Sequence, residues 1–182
     1  MSKTFQPNTN YQTISFNGLA LHPTFSVYLF EIEKEKQKYF YVGMTGDSHY
    51  PSARSILHRL AGHIDLSSRS TQSQFIKALK EKVFDKEELN REKLAQLTIQ
   101  LHHWPIEGFT SLNNKDGFKN LDKSSADYKA YKAIQTKVLA LESKIIGEYN
   151  DRLLNKTKGD SNAEIEVEFQ GIYDEIKKII EG

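Results

Sequence analysis

Two runs rich in aromatic and β-branched residues, Phe25 to Glu33 and Tyr39 to Thr45, stand on either side of the charged segment Lys34-Glu35-Lys36-Gln37-Lys38. Residues of these types pack well on a pleated surface, and the short polar connection predicts an antiparallel hairpin. With the turn centred on Lys34-Glu35, Tyr28 lies opposite Tyr41. Side chains alternate with a period of two, so any register shifted by an even number of residues keeps both rings on one face.

The other elements follow from local pattern. Tyr11 to Phe16 and Leu19 to Leu21 have strand character around an Asn17-Gly18 turn signal, which predicts an N-terminal arm or small hairpin over 1–24. Gly46-Asp47-Ser48 to Pro51-Ser52 reads as a turn-rich loop leading into a helix over about 52–64, with Ser52 as its cap and Ile56, Leu57, Leu60 and Ile64 as its apolar stripe. A second helix covers Ser73 to Val83, with Phe75, Ile76 and Leu79 inward. Leu94 to Trp104 alternates Leu97, Ile99 and Leu101 with polar neighbours, the pattern of a half-buried strand. Pro105 to Lys123 reads as a long loop, a feature more often functional than idle in a small domain. A long helix is expected over Ser125 to Leu153, with Tyr131, Ile134, Val138, Leu141, Ile145 and Tyr149 at helical spacing. A polar break at Lys156 to Asn162 precedes a final helix, Ile165 to Ile180, whose amphipathic pattern suits docking on its own core.

A chain of 182 residues is long enough for one domain with a real core and an added arm or terminal helix. Hydrophobic content of 38% with 27% charged residues fits a globular chain with a polar surface. No apolar run approaches the roughly 20 residues needed to span a bilayer. Met1 to Tyr11 is polar and lacks a secretory signal's apolar segment, so a cytoplasmic location is expected. The absence of cysteine excludes disulfides and thiolate zinc sites, and leaves oxygen or imidazole ligands for any metal. A net charge of +1, from 25 basic and 24 acidic residues, argues against non-specific coating of nucleic acid, which draws on many phosphate contacts. It leaves room for an enzyme with a local basic surface.

Five residues could carry chemistry. Glu142 lies four positions after Val138 and three before Ile145, so its carboxylate points toward the apolar side of the long helix. A carboxylate there needs an ion pair, hydrogen bonds or a bound cation. The ordinary solution is a structural pair with arginine or lysine. The functional one is a ligand for a hard divalent ion such as magnesium, which takes one or two carboxylates plus waters. Arg59 and His63 are four apart and share a helix face. Arg59 offers a permanently charged fork to phosphate, and His63 could relay a proton. Tyr28 and Tyr41 are ordinary strand formers, but a phenol can relay a proton when a neighbouring cation lowers its pKa.

Ser26-Val27-Tyr28, Tyr41-Val42-Gly43, Arg59-x-x-x-His63 on a helix, then Glu142 in Leu141-Glu142-Ser143-Lys144-Ile145-Ile146-Gly147-Glu148-Tyr149, and finally Leu154-Asn155, form an ordered set. It resembles the GIY-YIG nuclease superfamily, whose signature is Gly-Ile-Tyr, Tyr-Ile-Gly, a helix with Arg and often His, then a later glutamate and asparagine. The resemblance covers roughly Phe25 to Asn155. Ser26 departs from the first glycine, valine replaces isoleucine in both triplets, and the stretch from His63 to Glu142 is longer than a minimal family core.

The resemblance implies an α/β (α+β) fold: a small, mainly antiparallel three-stranded sheet packed with helices over 25–155, the N-terminal arm, and a C-terminal helical extension over 156–182. It implies phosphodiester hydrolysis with one divalent ion, magnesium or manganese, and DNA rather than RNA as substrate. In that scheme Tyr28 is general base or relay, with Tyr41 and His63 in support. Arg59 stabilises phosphate charge, Glu142 holds the metal, and Gly43 and Asn155 are structural. Arg54, Lys77 and Lys80 are candidate phosphate contacts. Two other readings stand beside it: an inactive nucleic-acid-binding module on the same fold, and an α/β interaction domain using the last helix as a partner surface.

Overall fold

The computed structural model describes residues 14–46, 54–64, 73–106 and 122–182. Three antiparallel strands form one sheet in the order β2-β1-β3. They are β1 (Ser26–Lys34), β2 (Gln37–Met44) and β3 (Leu97–Pro105). The helices are α1 (Ile56–His63), α2 (Gln74–Lys82), the single turn α3 (Arg91–Leu94), α4 (Ala126–Glu148) and α5 (Gln170–Glu181). The chain is thus a small α+β fold.

The hairpin turn sits one residue later than the sequence suggests. Glu35 and Lys36 both take positive φ, 53° and 70°, as the primed two-residue turns matching strand twist require. Tyr28 therefore pairs with Gly43, and Phe30 with Tyr41. The register moved by two, so Tyr28 and Tyr41 still share a face.

Central strand β1 is buried on both sides, and alternation sorts its side chains into two cores. Tyr28, Phe30 and Ile32 join Tyr41 under α1 and α2, with Ile56, Phe75, Leu79 and Phe84. Phe30 stacks on Phe75 with ring centroids 4.2 Å apart. Val27 and Leu29 join Phe40, Val42 and Met44 under α4, with Val138, Leu141 and Ile145. The apolar side of α5 enters this second core through Tyr173, Ile176 and Ile180. Burial of each such side chain is worth about 1.5–3 kcal/mol.

Several boundaries differ from expectation for local reasons. Gly18–Leu21 closes into a 3-10 turn instead of a strand, because the Asn17 side chain accepts from the Leu19 amide; Tyr11 to Thr13 lie outside the described residues. The first helix begins at Ile56 with Ser55 as cap, its side chain accepting from the His58 amide; Ser52 lies outside the described residues. Leu94 closes α3, whose cap Asn90 accepts from the Lys93 amide, and β3 starts only at Leu97. Helix α4 ends at Glu148, before the expected Leu153. Of the expected loop, 107–121 lies outside the described residues.

The outer edge of β2 is closed by the chain that follows α4. The Leu154 amide donates to the Phe40 carbonyl at 2.7 Å. Buried Asn155 uses its side-chain amide as a strand would, accepting from the Val42 amide at 3.0 Å and donating to the Val42 carbonyl at 2.8 Å. Lys82 from α2 donates to the Leu153 and Asn155 carbonyls. Replacing Asn155 by Leu leaves two buried backbone groups unpaired, at about 1–3 kcal/mol each. The expected result is a lower urea midpoint, with Asn155→Asp recovering the part due to the acceptor. An unchanged midpoint in Asn155→Leu would show that this edge holds without the side chain.

Candidate active site

Helix α1 covers the Tyr28 face of the sheet and α4 the opposite face, yet Arg59 and Glu142 act on one another electrostatically. Glu142 accepts a hydrogen bond from the backbone of Met44, where β2 ends. The Thr45 amide bonds to the Ser26 carbonyl, which makes Val27 and Met44 a non-hydrogen-bonded pair and turns the Met44 amide outward, toward α4. That amide and the Arg59 charge both favour ionised Glu142. The carboxylate is nevertheless pushed up to about 7, because burial is the largest influence on it.

Tyr28 is the hub on the sheet face. Its hydroxyl lies 2.6 Å from His63 Nε2 and accepts from Arg59 Nε at 3.4 Å. Its ring lies across Gly43, where a Cβ would fall 2.3 Å from the hydroxyl oxygen and 2.4 Å from Cζ. Glycine at 43 is thus what lets Tyr28 lean over β2 toward α1. The Tyr41 ring meets His63 edge-on at 5.7 Å.

Charge in this cluster is governed by burial. Tyr28 is pushed well above the ordinary phenol range by burial, with Arg59 opposing. Tyr41 is pushed up to about 12 by burial and then by Glu142, with Arg59 opposing. Both phenols therefore hold their protons at neutral pH. Burial works against the Arg59 charge, but Tyr28, Tyr41 and Glu142 raise its pKa on balance. His63, 1% exposed, is held down at about 3 by burial and the Arg59 charge. A ring so resistant to protonation is a poor proton sink and a good orienting partner for Tyr28.

His63 gives a pH dependence of known sign. Its folded pKa lies below the ordinary 6.5, so the unfolded chain protonates first. The stability it contributes is full above 6.5 and is lost as pH falls toward 3. The His63 ring signals are expected to stay those of a neutral imidazole between about pH 5 and 8. A titration midpoint near 6.5 would refute its buried neutral state.

The other candidate residues are more scattered. Arg54 lies just before α1 and contacts His58 Nε2 at 3.4 Å. Lys80 on α2 is paired with Glu88 at 2.9 Å, so its charge is already partnered. Lys77 lies one turn earlier on α2. Asn155 fixes the β2 edge and Gly43 makes room for Tyr28, both as structural parts. The sequence reading passed over His103, although it continues the alternating phase of Leu97, Ile99 and Leu101 and so belongs to the Tyr28 face.

No group of three or more His, Asp or Glu side chains able to hold a metal ion occurs among the described residues. Glu142 is compatible with the other mode, one carboxylate with waters and phosphate oxygens completing the shell. No helix among the described residues is long and apolar enough to cross a membrane. No protein-family model matches the chain. No curated protein and no solved structure matches it either.

Proposed function

We propose that the chain is a divalent-metal-dependent endonuclease hydrolysing phosphodiester bonds in DNA, of the GIY-YIG type, acting in the cytoplasm. What supports the reading is the gathering of Tyr28, Tyr41, Arg59, His63 and Glu142, from β1, β2, α1 and α4, into one electrostatically coupled cluster. Tyr28, oriented by His63, would serve as base only after a cation bound at Glu142 had lowered its pKa and let its own proton leave to solvent. The phenolate would then take the proton of the attacking water, with Tyr41 beside it. Arg59 would stabilise charge growing on the phosphate, where a fixed cation needs no reorganisation. Glu142 would hold one magnesium or manganese ion, whose charge would stabilise the leaving oxygen and offset the rise that burial gives the phenol pKa values. Arg54, Lys77 and Lys80 would have a supporting role along the backbone of the duplex.

The test is nicking of supercoiled plasmid with magnesium, with manganese and with chelator. Metal-dependent cutting is expected. With Arg59→Ala, turnover should fall more than DNA affinity does, since the proposed contact strengthens in the transition state. A large affinity loss with normal turnover would recast Arg59 as a phosphate anchor.

One observation favours a second reading, an inactive nucleic-acid-binding module. Tyr28 and His63 are each 1% exposed, so their hydrogen bond also serves as a buried polar tie between sheet and α1, although His63 Nδ1 has no partner among the described residues. Binding of duplex DNA with no cutting under any metal would favour it.

A further inference from the structure

On the far side of Tyr28 from Gly43 lies His103. The two strands pair Tyr28 with His103 directly, and the Ile106 amide bonds to the Phe25 carbonyl. Counting from that bond makes Tyr28 and His103 a non-hydrogen-bonded pair, with Cα atoms about 4.5 Å apart and side chains on one face. Tyr28 leans the other way, over Gly43, so His103 flanks the hub without being covered by its ring.

Its polar atoms are unused. His103 Nδ1 is buried with no partner, and Nε2 makes no hydrogen bond among the described residues. The residue is half-buried, so the nitrogen left to face outward is Nε2. A buried unpaired N–H is rarer in native proteins than an under-satisfied acceptor, which favours the tautomer with a bare Nδ1 and a proton on Nε2. Burial also lowers the ring's pKa, so it presents a neutral donor. A structural histidine on a half-buried strand normally spends at least one nitrogen on the protein. Among the described residues, Nε2 has no partner and is open to one from outside.

We propose that His103 is a substrate-binding residue, donating from Nε2 to a non-bridging oxygen of a DNA phosphate beside the one held at Tyr28 and Arg59. The inference rests on the nuclease reading for its orientation but only on DNA binding for its test.

The experiment measures binding of a 30-base-pair duplex by fluorescence anisotropy, over a salt series in chelator, together with plasmid nicking, for wild type, His103→Ala and His103→Gln. A hydrogen bond to a charged oxygen predicts about a tenfold to hundredfold loss of affinity in His103→Ala. Recovery is expected in His103→Gln, which keeps a neutral donor. Because no counterion is released by a neutral contact, the slope of log affinity on log salt should be the same in all three proteins, whereas loss of a cationic contact lowers it by about one. Wild-type affinity in His103→Ala would overturn the proposal. So would equal losses in both variants with lowered thermal stability, which would mark a packing role, or a reduced salt slope, which would mark a charged contact. Binding without cutting by wild type removes the nuclease reading and leaves the anisotropy series to decide His103. A wild type that neither binds nor cuts overturns both.

Discussion

Glu142→Ala should lose metal-dependent plasmid cutting while keeping its fold. Removing one fixed electrostatic group from a reacting centre commonly costs about 10² to 10³ in turnover, and among the described residues Glu142 is the carboxylate acting on Tyr28, Tyr41 and Arg59 together. The fold should survive because an ionised Glu142 is a burden. Its folded pKa, about 7, lies above the ordinary 4.5, so the folded protein binds more protons than the unfolded chain between those values. Its contribution to stability therefore falls as pH rises from 4.5 to about 7. Glu142→Gln, which keeps an acceptor for the Met44 amide, should remove that slope and melt no lower than wild type at about pH 8. Magnesium-dependent cutting retained by both variants would remove Glu142 from the scheme. Equal cutting by wild type and variants in chelator would point to a contaminant.

Gly43→Ala should damage the protein more than the loss of any single polar contact in the cluster. The added methyl lands 2.3 Å from the Tyr28 oxygen and 2.4 Å from Cζ, and Tyr28 is 1% exposed, so its ring must leave its place. Overpacking of this kind costs roughly 1–3 kcal/mol, and the Tyr28–His63 hydrogen bond goes with it. Urea midpoints of Gly43→Ala, Tyr28→Ala and the double variant give the test. The double variant should be less destabilised than the sum of the singles, with a coupling of about 0.5–3 kcal/mol. Cutting should be lost in all three. Additive midpoints would mean that Tyr28 does not depend on the bare backbone at 43.

Much of this was legible in the chain. The hairpin showed itself because aromatic and β-branched residues cluster on both sides of a charged break. The shared face of Tyr28 and Tyr41 survived a wrong turn position because the error was even. Glu142 stood out because a carboxylate in the phase of Val138 and Ile145 contradicts its surroundings. What stayed hidden depends on partners far along the chain. The turn at Glu35-Lys36 carries neither glycine nor asparagine, so nothing local announced its left-handed backbone. The Met44 amide turns toward Glu142 only because of strand pairing, which no spacing reveals. Ser52 was the expected cap, and the three-residue shift to Ser55 is invisible to propensity, which ranks one serine like another. His103 was visible in the alternation of β3, yet its importance comes from the residue across from it.

The closed edge of β2 has a consequence for how the protein fails. Phe40, Val42 and Met44 would otherwise offer a row of unpaired amides and carbonyls, the template by which sheets recruit further strands. Leu154 and Asn155 occupy the first two, and the α4 carboxylate faces the third. A local opening that lifts the end of α4 and its following segment from the sheet would withdraw Glu142 and bare the strand at one stroke. Heat inactivation and self-association would then share a single trigger, and the residue proposed to hold the metal also helps keep one molecule from growing onto the next.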